Sequence, residues 1–127
     1  MNTIEKIRRL EYRRQRILGD LLQPGEMLSG SIKTVYRKCG KKNCWCFESK
    51  DGHAYDRLCW RDKEISAARN KSLPEQDLEW ARRCVENYHT YKQCLNELQN
   101  IDNELYECLK ELMYSIIQKC RKNKGWE

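Results

Sequence analysis

Between Glu75 and Lys124 the chain contains neither glycine nor proline. Along this stretch Leu78, Ala81, Val85, Tyr88, Tyr91, Leu95, Leu98, Asp102, Leu105, Leu109, Leu112 and Ile116 recur about every 3.5 residues, the period of a coiled coil. The spacing predicts a helical segment over 72–122. Ser72-x-x-Glu75 has the form of a capping box, and Pro74 is tolerated in a first turn. Only Asp102 interrupts the stripe, and Asn100-Ile101-Asp102-Asn103 are poor helix formers that mark a place for a kink or hairpin. A straight helix of this length would extend about 72 Å. A second helix is predicted over 2–22, where Asn2 and Glu5 have capping-box spacing. Its stripe is Ile4, Ile7, Leu10, Ile17, Leu18 and Leu21, interrupted by Arg14, and Gln23-Pro24-Gly25 ends it. That helix can cover only about 30 Å of the longer stripe. An apolar stripe seeks a partner. The long segment is therefore expected either to fold back on itself or to be covered by a second chain, and a homodimer is expected.

Residues 29–66 lose the helical period. Gly30, Gly40 and Gly52 punctuate β-prone runs at 31–37, 43–47 and 54–60, and Asp51-Gly52 is a hairpin signal. The expected fold is mainly α, within a single domain over 1–127. It combines an N-terminal helix and a long coiled-coil-like helix or helical hairpin with a small antiparallel β insertion that carries a cysteine cluster. Leu, Ile, Val and Phe make up only 24 of 127 residues, so this fold has little apolar mass.

The eight cysteines sort into two groups. Cys84, Cys94, Cys108 and Cys120 fall in the helical segment and read as small seam residues. The others form Cys39-x4-Cys44-x-Cys46-x6-His53-x5-Cys59. Thiolates with an imidazole suit tetrahedral Zn²⁺, and Gly40 lets the loop turn so that Cys39 and Cys44 converge. In a regular strand Cys44 and Cys46 would face one way. The fourth ligand is either His53 or Cys59. A metal would also supply folding energy to a small module. Buried apolar thiols are the competing reading. A catalytic thiol would need His53 or His89 as its base, with no orienting third group in view.

Gly30-Ser31, Tyr36-Arg37-Lys38-Cys39-Gly40-Lys41-Lys42-Asn43-Cys44-Trp45-Cys46, Gly52-His53 and Leu58-Cys59-Trp60-Arg61 together resemble a bacterial family of small proteins defined only as a domain of unknown function. The resemblance covers roughly 27–105 and includes Val85-Glu86-Asn87-Tyr88. Its members often accompany transposases and other mobile-element genes, which implies a DNA-related role. Cys59 falls near a position usually polar in that family, so the resemblance favours His53 as fourth ligand. The family's tyrosine-rich tract is reduced here to Ala54-Tyr55-Asp56-Arg57.

The net charge of +6 is unevenly spread: residues 1–74 carry 17 basic and 9 acidic side chains, and residues 75–111 carry 4 and 9. Such a basic half attracts polyanions. The expected function is a zinc-stabilised, non-catalytic nucleic-acid-binding module, and the resemblance implies DNA and a phage or mobile-element setting. Lys33, Arg37, Lys38, Lys41, Lys42 and Trp45 would bind from the cysteine loop, and Arg8, Arg9, Arg13 and Arg16 from the first helix. Tyr36, Phe47 and Tyr55 are interleaved with the loop cations. The alternative is a protein–protein interaction module, an adaptor or an inhibitor of a nucleic-acid enzyme, acting through its helices and basic loop. No apolar run is long enough to span a membrane, and the charged N-terminus does not read as a signal peptide, so a cytoplasmic location is expected.

Overall fold

The computed structural model describes residues 2–126, in the order α1 (Thr3–Leu21), β1 (Ser31–Arg37), β2 (His53–Asp62), β3 (Ala67–Ser72) and α2 (Glu75–Asn123). A single 3-10 turn, Trp45–Phe47, lies between β1 and β2. The three strands form one antiparallel sheet in the order β1-β2-β3. The fold is therefore mixed α/β, not the mainly α architecture that helical periodicity suggested. The difference lies in β3. Ala-Ala-Arg-Asn-Lys-Ser has little intrinsic strand preference. It becomes a strand because all six residues pair with Arg57 to Asp62 of β2. Ser72 consequently ends this strand opposite Arg57 and does not cap a helix. The run at 43–47, expected as a strand, forms the 3-10 turn instead.

The chain divides into two compact units. One comprises Met1–Pro24 and Tyr91–Glu127. Here Asn2 Oδ1 accepts a hydrogen bond from the Glu5 backbone N–H at 2.8 Å, so the cap read from the sequence is in place. Leu10, Ile17 and Leu21 of α1 pack with Ile101 and Cys108 of α2. Ile7, Tyr91, Cys94, Leu98 and Leu105 flank them. The α2 seam is therefore 91-94-98-101-105-108, alternating steps of three and four. Cys94 and Cys108 are seam residues as read from the sequence, while Leu95 and Leu109 of the predicted stripe face solvent.

This register removes both interruptions at once. Arg14 Nε donates to Asp102 Oδ1 at 2.8 Å, so the two polar residues that broke the separate stripes meet as an ion pair beside the seam. Ile101 fills the core position next to Asp102. The helix passes through Asn100-Ile101-Asp102-Asn103 without a break, so no helical hairpin forms. The Tyr91 hydroxyl donates to the Leu21 carbonyl at 2.9 Å, satisfying an acceptor at the end of α1. Cys120 is exposed and takes no part in this seam.

The second unit, Gly25–Thr90, holds the sheet and the first turns of α2. Its buried side chains are Cys46, Leu58, Ala81, Cys84 and Val85. Burial and the Glu26 charge both push the Cys84 thiol up, as expected for an inert buried cysteine. The chain before β1 is tied down here. The Leu28 N–H donates to the Cys84 carbonyl at 3.1 Å, and Asn87 and Trp80 both donate to Glu26. Among the described residues no helix is long and apolar enough to cross a membrane.

Candidate metal centre

The 15 residues between β1 and β2 bury only one side chain, Cys46. The loop owes its shape to short turns and to its sulfurs. Cys44 N–H donates to the Lys41 carbonyl, Phe47 N–H to that of Cys44 and Ser49 N–H to that of Cys46, at 3.0–3.3 Å. These turns put Cys44 and Cys46 at the two ends of a tight bend. Lys38 Nζ reaches the Phe47 carbonyl at 3.2 Å. Gly52 immediately precedes β2 at φ +92°, where an added Cβ would lie 2.6 Å from the Arg37 carbonyl carbon. Only glycine fits there, and the fit places the next residue, His53, directly opposite Arg37.

The outcome is a four-residue cluster of Cys39, Cys44, Cys46 and His53, whose ligand atoms all lie within 4.8 Å of one another. Cys39 and Cys46 Sγ are 3.4 Å apart, and Cys44 Sγ is 3.2 Å from His53 Nε2. A tetrahedral site with metal–sulfur bonds of about 2.3 Å has sulfur–sulfur edges of about 3.8 Å. Three thiols and an imidazole at these separations can therefore surround one ion with small adjustments. Such an ion would cross-link the β1–β2 loop to the first residue of β2. Cys59, the other candidate fourth ligand, lies outside this cluster, opposite Ser31 and Asn70 in mid-sheet.

The thiols are unequal. Cys39 is exposed, and a backbone N–H from Lys41, followed by side-chain hydrogen bonds from Cys46 and His53, lowers its thiol to about 7. The Cys39 N–H also bonds Cys46 Sγ and draws that thiol down. Burial, the neighbouring Cys39 and Cys44 sulfurs and the Cys39 charge together outweigh it and raise Cys46. The first thiolate of the cluster therefore forms on Cys39 near neutral pH. Metal binding replaces the remaining protons, so ion affinity must fall as pH falls.

The cations expected to bind nucleic acid are divided between the two units. Lys33 and Arg37 lie on β1, while Lys38, Lys41, Lys42 and exposed Trp45 lie in the loop that carries the cluster. Trp45 meets the His53 ring edge-on at 4.9 Å. Arg8, Arg9, Arg13 and Arg16 lie on α1 in the other unit. Arg8, Arg9 and Arg13 line a shallow hollow with Tyr12, Arg13 pairs with Glu97 at 3.4 Å, and Arg16 sits over the Tyr12 ring. The sheet register also brings Arg57 and Arg61 onto the face of Lys33 and Arg37. Their signal in the sequence is the two-residue step His53, Tyr55, Arg57, Cys59, Arg61. No family model, curated protein or solved structure matches this chain.

Cobalt(II) reports thiolate and imidazole ligation by colour. We expect one equivalent of Co²⁺ to give the intense visible bands of a tetrahedral thiolate site. Cys46→Ser should abolish them and Cys59→Ser should leave them unchanged. Loss of the bands on Cys59→Ser would remove the present ligand assignment.

Proposed function

We propose that this chain is a zinc-stabilised, non-catalytic nucleic-acid-binding module. The observation that carries the reading is the convergence of Cys39, Cys44, Cys46 and His53 inside a loop whose remaining side chains are rich in cations. Zinc suits three thiolates and one imidazole better than any hard cation does. A closed four-ligand site leaves no open position for a substrate, which favours a structural role over catalysis. Lys38, Lys41 and Lys42 then provide phosphate contacts, and Trp45 offers a stacking surface. Arg8, Arg9, Arg13 and Arg16 give the other unit its own basic surface. The resemblance of the Cys-Gly-Lys-x-x-Cys-x-Cys run to a family that accompanies mobile elements supports DNA as the target in a phage or transposon setting. Four or five phosphate contacts on duplex DNA predict a slope of log K against log[salt] of about −4, read by fluorescence anisotropy from 50 to 200 mM salt. A flat salt profile, or no binding of either duplex or single-stranded probe at micromolar protein, would contradict the reading.

A second reading, association through the helices, is favoured by one further observation. Tyr106, Leu109, Met113, Ile116 and Cys120 are all exposed and alternate in steps of three and four residues. They form a second heptad seam on α2, turned about 100° from the one that packs on α1. Acidic residues (Glu104, Glu107 and Glu111) flank its start and basic residues (Lys119, Arg121, Lys122 and Lys124) its end. Antiparallel pairing with a second copy sets acidic ends against basic ends, whereas parallel pairing stacks like charges. We expect light scattering to give twice 15.4 kDa. Met113→Glu with Ile116→Glu should halve that mass. A monomeric wild-type chain at about 100 μM, where even weak pairing registers, would exclude this pairing.

A further inference from the structure

The register of the sheet sorts its charges by face. Successive strand residues point to opposite sides, and directly paired residues share a side. Ala54, Asp56, Leu58, Trp60 and Asp62 of β2 therefore face one way, with Thr34 and Arg69 beside them. Leu58 is buried on this face. Both strand aspartates are already engaged there: Asp56 accepts from the Thr34 hydroxyl at 2.8 Å, and Asp62 pairs with Arg69 at 3.1 Å.

The opposite face carries His53, Tyr55, Arg57, Cys59 and Arg61 of β2. Arg37, Val35, Lys33 and Ser31 of β1 lie against the first four, and Ser72, Asn70 and Ala68 of β3 against the last three. Four cations and no carboxylate occupy it. Lys33 stands directly across from Arg57. Like charges placed opposite each other weaken a sheet, so this face is electrostatically incomplete without an anion. Arg61 has one polar contact, to the Ser66 carbonyl at 3.4 Å, which leaves its charge unneutralised.

Flat rings lie among these cations. The Arg37 guanidinium sits 5.7 Å over the Tyr55 ring, Tyr55 is 6.3 Å from His53, and His53 is 4.9 Å from Trp45. A row of three rings thus runs from the metal cluster onto the sheet. A hollow of about 220 Å³ opens beside it, lined by Val35, Tyr36, Arg37, Tyr55, Arg57 and Ser72. In a duplex the base faces are hidden by stacking, and such rings have nothing to stack on. A single strand offers base faces and phosphates together.

We infer that this strand face binds single-stranded nucleic acid, with bases stacked on Tyr55 and Trp45 and phosphates held by Lys33, Arg37, Arg57 and Arg61. The inference rests on the nucleic-acid reading above and narrows it to single strands. DNA and RNA share this chemistry.

The test is anisotropy with the full metal-loaded chain and labelled oligo-dT, oligo-U and duplex DNA, each of about 15 nucleotides. One or both single strands should bind at least about tenfold more tightly than the duplex, the tighter of the two identifying the source. Arg57→Gln with Arg61→Gln should weaken single-strand binding at least about tenfold and reduce the salt slope by about 1.4. Tyr55→Ala should cost about tenfold, and Tyr55→Leu, which keeps apolar bulk on the sheet, should cost the same. Lys71→Gln, on the other face, should bind as the wild type does. Equal or tighter duplex binding, or wild-type affinity in the Arg57/Arg61 variant, would overturn this inference and leave the broader reading standing. No binding to any of the three probes would overturn both.

Discussion

The gathering of Cys39, Cys44, Cys46 and His53 within 4.8 Å of one another is the constraint that shapes the β1–β2 loop. Fifteen residues connect two paired strands, and holding a loop of that length in one shape costs conformational entropy. Apolar burial cannot offset it, because Cys46 is the only buried side chain in the loop. The strands do not supply the shape either, since their ladder ends at the Arg37–His53 pair. What remains is a set of short backbone turns and four soft ligands gathered within 4.8 Å. One ion bonded to all four would fix the loop and anchor it to β2. His53 is at once a ligand candidate, the first residue of β2 and the middle ring between Trp45 and Tyr55. Ligation would therefore fix the aromatic row as well as the loop.

The other unit solves its problem by different means. Its core is a two-helix seam of Leu, Ile and Cys side chains, with Tyr91 and the Arg14–Asp102 pair at its margins. The Arg14–Asp102 pair is partly exposed, so it contributes less to stability than to register. A shift of one residue along the seam would strand both charges against apolar neighbours. Glu75 and Asp77 in the first turn of α2, with Arg121 and Lys122 in its last, also agree with the helix dipole.

Much of this was legible in the sequence, for physical reasons that differ by element. Both helices announce themselves through periodicity, and Asn2 through its cap. The ligand set could be narrowed to five residues by donor chemistry and spacing alone. The resemblance already favoured His53 over Cys59, and the register supplies the physical reason: β2 carries Cys59 six residues along the strand from His53, into mid-sheet. Cys94 and Cys108 take the seam places read for them, whereas Leu95 and Leu109, which the 3.5-residue stripe put there as well, lie one position off it and face solvent. Strand β3 was invisible because Ala67–Ser72 has no strand character of its own and is made by its partner. The basic face went unread for a related reason. The two-residue step along β2 puts Arg57 and Arg61 on one face, but only the cross-strand register joins them to Lys33 and Arg37.

X-ray absorption at the zinc edge of the purified protein counts the ligand types around the ion. The Cys39–Cys44–Cys46–His53 site should give one zinc per chain with three sulfurs at about 2.3 Å and one nitrogen at about 2.0 Å. A shell of four sulfurs would put Cys59 in place of His53, and a shell of oxygens, or no bound zinc, would rule out a thiolate–imidazole zinc site here.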